Sequence, residues 1–200
     1  YLGYVLMAAL ARLSGSGPGV AFTLSLATTF AYATVAAAGT AANLVRAARL
    51  GKATGGRGTA WLGGILGALL LVGIGNLETP LRFLRNPRAT LDAGWWSGVG
   101  WQASRVIVDQ GVPGSSGPRP TINEFPAFSF VLGDLHPHVL AYPLFIATIG
   151  LAVGLFSLCA SGGARGGLRP LLFPLAASGI VAGALYAINS WDLPTALALT

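Results

Sequence analysis

Long runs without a single charged residue constrain this chain more than anything else in it. Residues 19–45, 59–77, 139–164 and 171–188 contain no Asp, Glu, Lys or Arg. A helix that crosses a bilayer needs about 20 mostly apolar residues. Only 9% of the chain is charged, against about 25% in a soluble domain. The 29 glycines follow no repeat and suit helices whose backbones approach closely in lipid. The fold expected is an all-α, polytopic transmembrane helix bundle with four full spans, residues 1–200 forming part of a single membrane domain. A fifth span starts near Leu193. Tyr1–Ala11 is either the tail of another span or a helix lying in the interface. The chain opens without Met and stops inside "TALALT", so we expect it to be a piece of a longer protein. Cys159 has no second cysteine with which to pair.

The charges orient the bundle. Arg46, Arg49, Lys52 and Arg57 lie between the first two spans, and Arg165 and Arg169 between the last two, with no acid in either loop. Short basic loops stay in the cytoplasm. The long loop of residues 78–138 is then extracytoplasmic. Its Arg82, Arg85, Arg88, Arg105 and Arg119 balance Glu78, Asp92, Asp109, Glu124 and Asp134. Asp192 follows the fourth span on the same side. Every acid and both histidines thus face one side of the membrane.

Three stretches on that side carry possible chemistry. In "AGWWSGVGWQASR", Trp95, Trp96 and Trp101 precede Arg105. They are either interfacial anchors or an aromatic shelf for a sugar or lipid, with Arg105 on a phosphate. In "NSWDLPT", Asp192 is an N-cap ahead of Pro194 or, with Asn189 and Trp191, part of a substrate surface. The third, "NEFPAFSFVLGDLHPHVLAYP", gathers Glu124, Asp134, His136 and His138. Pro137 disfavours helix at His136 and fits a first turn, so the third span begins here with Asp134 near its N-cap. In an extended segment Asp134, His136 and His138 point to one side; in a helix Asp134 and His138 share a face. Either pattern suits a general base or a divalent metal held by Asp134, His136 and His138. Glu124 is a second candidate acid–base carboxylate or a solvated loop acid.

At these residues the chain resembles a known family. "INEFPAFSFVLGDLHPHVLAYP" and "INSWDLPT" are similar to blocks of the YYY-type multi-spanning membrane proteins, which carry domain of unknown function 2298. "GIGNLETP", Gly73–Pro80, and the opening "YLGYVLMAALARLSG" resemble two further blocks. The family is distantly similar to the GT-C glycosyltransferases, polytopic enzymes that transfer a sugar from a lipid-phosphate donor on the extracytoplasmic side. Their first outer loop carries an essential acid, often with a metal, and here that loop would precede Tyr1. The resemblance implies the plasma membrane of a bacterium or archaeon, with the site facing outside.

The expected function is a glycosyltransferase-like membrane protein using a polyprenyl-phosphate-linked sugar. Asp134, Glu124 and His138 would be catalytic. Arg105, Trp95, Trp96, Trp101, Asn189, Trp191 and Asp192 would bind substrate, and Mg or Mn is the expected metal. Membrane lipids are partners. Nucleic acid is not, because the basic residues sit at span ends suited to headgroups. The alternatives are a transporter, which would want ionisable groups at mid-membrane, and a non-catalytic assembly subunit.

Overall fold

A computed structural model of the protein describes residues 2–48, 57–111, 117–163 and 167–200. Tyr1, Arg49, Lys52, Arg165 and the centre of the 111–120 connector lie outside the described residues.

Three helices are long and apolar enough to cross a membrane: α2 (Pro18–Ala47), α7 (Pro137–Ala160) and α8 (Arg169–Ile188). A fourth apolar segment is built differently, as a bent pair of helices. Helix α3 (Arg57–Ala68) runs on into a π-helical turn, Leu69–Ile74, which stops at Gly75. The chain then bends by 82° into α4 (Glu78–Arg85). Gly75 has φ +69°, and a Cβ there would collide with the Phe125 ring. Only glycine meets both demands. The expected span of residues 59–77 is therefore shorter at its far end, where the rest becomes the corner.

The chain places small residues where the helices meet. α3 packs antiparallel on α2 through Gly63, Gly64 and Gly67. A Cβ at Gly63 would stand 2.6 Å from Val45 Cγ2, one at Gly64 2.8 Å from the Ala38 carbonyl oxygen, and one at Gly67 would overlap the Ala41 methyl. At Gly64 the α3 backbone faces the α2 backbone directly, and at Gly63 and Gly67 it rests on the Val45 and Ala41 side chains, so dispersion contacts form at short range. α2 and α7 run parallel. Ala33 and Ala37 pack on Ile146, and the Thr40 hydroxyl donates to the Ile146 carbonyl at 3.3 Å. α8 returns antiparallel to α7, with Leu185 and Ile188 against Leu140 and Ala141.

Short α1 (Leu2–Ser14) lies inside this packing. Gly3 meets Leu140 and Ile188, and Met7 joins their cluster. At the other end, a 3₁₀ turn (Ser190–Asp192) leads into α9 (Leu193–Leu199).

The described residues of the 78–138 loop form a shelf over one end of the bundle. After α4 come a 3₁₀ turn (Pro87–Leu91), α5 (Ala93–Ala103), a two-residue hairpin pairing Val108–Asp109 with Arg119–Pro120, and α6 (Pro126–Leu132). The Asp92 side chain caps α5 through the Gly94 N–H at 3.0 Å. Asn76 ties the corner to the shelf: its Nδ2 donates to the Ala103 carbonyl at 2.9 Å, and its Oδ1 accepts from the Glu78 N–H at 3.1 Å.

Candidate functional site

The site forms where α6 hands the chain to α7. Helix α6 ends in a Schellman motif: Gly133 takes φ +74°, and the Asp134 N–H donates back to the Ser129 carbonyl at 2.9 Å. Residues 134–136 are then extended, and α7 begins at Pro137 with His136 at the N-cap. A residue ahead of proline is steered out of the helical region, and His136 sits at φ −65°, ψ 160°. This corrects the expected cap. Asp134 caps nothing, and its side chain turns onto the residue two positions ahead.

Two histidine–carboxylate pairs result. Asp134 Oδ1 is hydrogen-bonded to His136 Nδ1. That bond, followed by the charge of Asp134 and a smaller contribution from Glu124, raises the His136 pKa above 6.5, with burial opposing weakly. The His136 side chain is 63% exposed, so its charge faces outward at the rim. His138, one step into the helix, turns to Glu124 instead: Nε2 lies 2.7 Å from Glu124 Oε2. The oxygen stands off the N–H direction, so Nε2, shielded from solvent, makes no aligned hydrogen bond. The two side chains are in close contact without an aligned hydrogen bond. The two imidazole rings lie 5.8 Å apart.

Sequence reasoning missed the floor of the site. Tyr142 lies one turn below His138, with ring centroids 5.8 Å apart. The carboxylates of Glu124, Asp134 and Asp192 all lie within electrostatic reach of its hydroxyl. Ser129, 1% exposed, faces that hydroxyl, yet its Oγ makes no aligned hydrogen bond. The i, i+4 spacing of His138 and Tyr142 was the available signal. Ser129 offered none.

Asp192 lies in the 3₁₀ turn between α8 and α9. It occupies the position ahead of α9, as its sequence suggests, but its carboxylate accepts from Asn189 Nδ2 at 2.9 Å rather than capping the helix. Trp191 beside it is 88% exposed and points away from this group.

The shelf brings the other candidates close. The Asn123 N–H donates to the Ser104 carbonyl at 2.6 Å, which ties the backbone next to Arg105 to the backbone next to Glu124. The Arg105 guanidinium lies 3.5 Å over the Trp101 ring and donates to Ser104 Oγ at 2.6 Å. Among the described residues no carboxylate pairs with it. Trp95 belongs to a separate cavity beneath α4 and α5, so the tryptophans do not form one shelf. The side chain of Trp96 lies outside the described residues.

The expected metal set is not assembled here. Asp134 is bonded to His136 while His138 faces Glu124. Among the described residues, no three His, Cys, Asp or Glu side chains converge to hold an ion. As they stand, these residues do not fit a metal, and no step is derived through one.

Arg46 closing α2 and Arg169 opening α8 lie at the opposite end of the bundle, whereas Arg12, closing α1, lies at the same end as the site, near Leu135. A model of a family described as uncharacterized membrane proteins (DUF2298) matches residues 1–200. No curated protein matches the chain, and no solved structure does.

Proposed function

The chain belongs to the DUF2298 family of membrane proteins, and from that premise we propose that it is a GT-C-like glycosyltransferase. It uses a polyprenyl-phosphate-linked sugar on the extracytoplasmic face. The observation that supports this reading is the pair of histidine–carboxylate contacts at the α6–α7 junction, at the same end of the bundle as the turn that carries Asp192 and the shelf that carries Arg105. The positive-inside rule supports turning that end outward, because Arg46 and Arg169 occupy the other.

In this reading Glu124 is the general base. It takes the proton of an acceptor hydroxyl as that oxygen attacks the anomeric carbon of the donor. His138, whose Nε2 lies 2.7 Å from Glu124 Oε2, would come into line with the carboxylate when substrate binds. The bond from the anomeric carbon to the phosphate oxygen breaks, and the phosphate leaves with the electron pair. Arg105 and the His136 imidazolium meet the charge that develops there. Asp134 acts through His136, keeping it protonated and aimed. Asn189 and Asp192 bind the sugar hydroxyls. Coupled transport fits less well, because no Asp, Glu, Lys or Arg lies within the interior of the described spans.

The test is a transfer assay with labelled polyprenyl-phosphate sugars, in membranes containing the full-length protein. Glu124→Gln and His138→Ala should each abolish most of the turnover. Wild-type turnover in both variants removes the assigned site.

A further inference from the structure

Two depressions lie on either side of α4 and share one wall. The first is an apolar cavity of about 430 Å³ under the shelf, lined by Phe83, Trp95, Val99, Phe125, Phe128 and Val131 among others. The second is polar, about 360 Å³, and is lined by Glu78, Arg82, Arg85, Asn86, Trp95 and Gln102. Trp95 belongs to both. The division follows from the sequence of α4: Glu78, Arg82 and Arg85 recur at helical spacing on one face, and Thr79 and Phe83 on another.

The charges of the polar depression do not cancel. Arg82 is fully engaged, its Nε on Glu78 Oε1 at 2.6 Å and its Nη1 on Gln102 Oε1 at 2.6 Å. Arg85 has no ion pair or hydrogen bond among the described residues. One acid against two guanidiniums leaves a net charge of +1. An anion can be met there by a guanidinium that need not break an existing pair, as charge-assisted recognition favours. The adjoining apolar cavity, about 430 Å³, is of a size to take one apolar chain.

We propose that these two depressions form one site for a single-chain amphiphilic phosphate, a long-chain isoprenyl phosphate. Its chain lies in the apolar cavity and its phosphate on Arg85. This deepens the glycosyltransferase reading and rests on it for the identity of the chain. Phe125 lines the cavity and follows Glu124, so a chain held there lies beside the wall that carries the proposed base. The net positive charge of the polar depression favours a phosphate over an uncharged isoprenol, and a single cavity of this volume suits one chain better than two.

The experiment is photo-crosslinking of the full-length protein, in detergent, with a diazirine-bearing isoprenyl phosphate. The label is expected within α4, α5 and α6. Unlabelled isoprenyl phosphate should displace it, whereas isoprenol and phosphatidylglycerol should not. Arg85→Gln, a change at an exposed position, should weaken binding about tenfold, the loss of one charged hydrogen bond. Val131→Trp, at the 88% exposed rim, should block labelling without disturbing the bundle. Equal displacement by phosphatidylglycerol overturns the proposal, as does wild-type labelling in both variants. Labelling needs neither sugar nor acceptor. Displaceable labelling without any transferase activity keeps this site and removes the enzyme reading. Full transfer activity in both variants does the reverse.

Discussion

The α2–α3 seam and the histidine rim are held together by opposite means. Along the seam, Gly63, Gly64 and Gly67 contribute by having no side chain, and the backbone of α3 rests directly on α2. At the rim, the side chains of Glu124, Asp134, His136 and His138 face one another over a backbone already fixed by Gly133 and Pro137. The difference predicts a separation. The seam should govern whether the bundle forms and be indifferent to chemistry. The rim should govern chemistry and be nearly indifferent to folding, because its ionic contacts are partly exposed and such pairs contribute little.

The sharpest way to break that separation is Glu124→Gln. The amide keeps the shape but cannot take a proton. Loss of a positioned general base should cost about 10²–10⁴-fold in turnover, with the thermal midpoint in detergent close to wild type. A midpoint that collapses along with the activity would make Glu124 a structural residue.

Gly64→Val makes the converse prediction. Its Cβ would meet a backbone oxygen, which cannot swing aside as a side chain can. Overpacking of this kind costs about 1–3 kcal/mol. Thermal unfolding should begin at markedly lower temperature, while the protein that remains folded keeps its turnover per active molecule. An unchanged midpoint would mean that α2 and α3 are not in close contact.

These two regions also differ in how far the sequence disclosed them. The charge-free runs led to α2, α7 and α8 within a few residues, because in lipid an apolar run of that length has one backbone solution. The composition announced close packing but not which glycines form the seam, since Gly63, Gly64 and Gly67 look no different from Gly154 or Gly179, which face open space. At the rim, the density of rare residues drew attention to the right block. It could not say which carboxylate each imidazole would choose. Glu124 joins His138 across fourteen positions only because α6 and its Gly133 cap fold the chain back. The grouped Asp134, His136 and His138 were a product of spacing alone, and the turn at Pro137 divides them. The 82° corner at Gly75 left no mark beyond an asparagine and a glycine, and with it Arg82 and Gln102 stayed out of view.

Within the rim, the two pairs should themselves come apart. Asp134→Asn removes the main cause of the raised His136 pKa, so that pKa should fall toward 6.5. NMR titration of the His136 ring measures it. Turnover should drop about tenfold, the effect of weakening one charge-assisted contact to the leaving phosphate, and its decline on the alkaline side should begin at lower pH. The sign for stability is fixed as well. A folded-state pKa above the unfolded value means that the pair's contribution is fully present below about pH 6.5 and is lost as pH rises through the raised value. A His136 titration that does not move would leave Asp134 without its positioning role.

The smallest effect should come from Asn76, which lies between the two regions and belongs to neither. Its side chain donates to the Ala103 carbonyl and accepts from the Glu78 N–H, so it joins the corner of the α3–α4 pair to the shelf that carries Arg105. Asn76→Ala removes both bonds at partly buried groups, at a net cost of about 1 kcal/mol each. The spans do not depend on them, so the thermal midpoint should shift only slightly. The shelf does depend on them: amides of α4 and the last turn of α5 should exchange with deuterium several-fold faster, while those of α2 and α7 keep their protection. If exchange rises equally throughout, the shelf and the bundle are one cooperative unit, and the division between seam and rim does not exist.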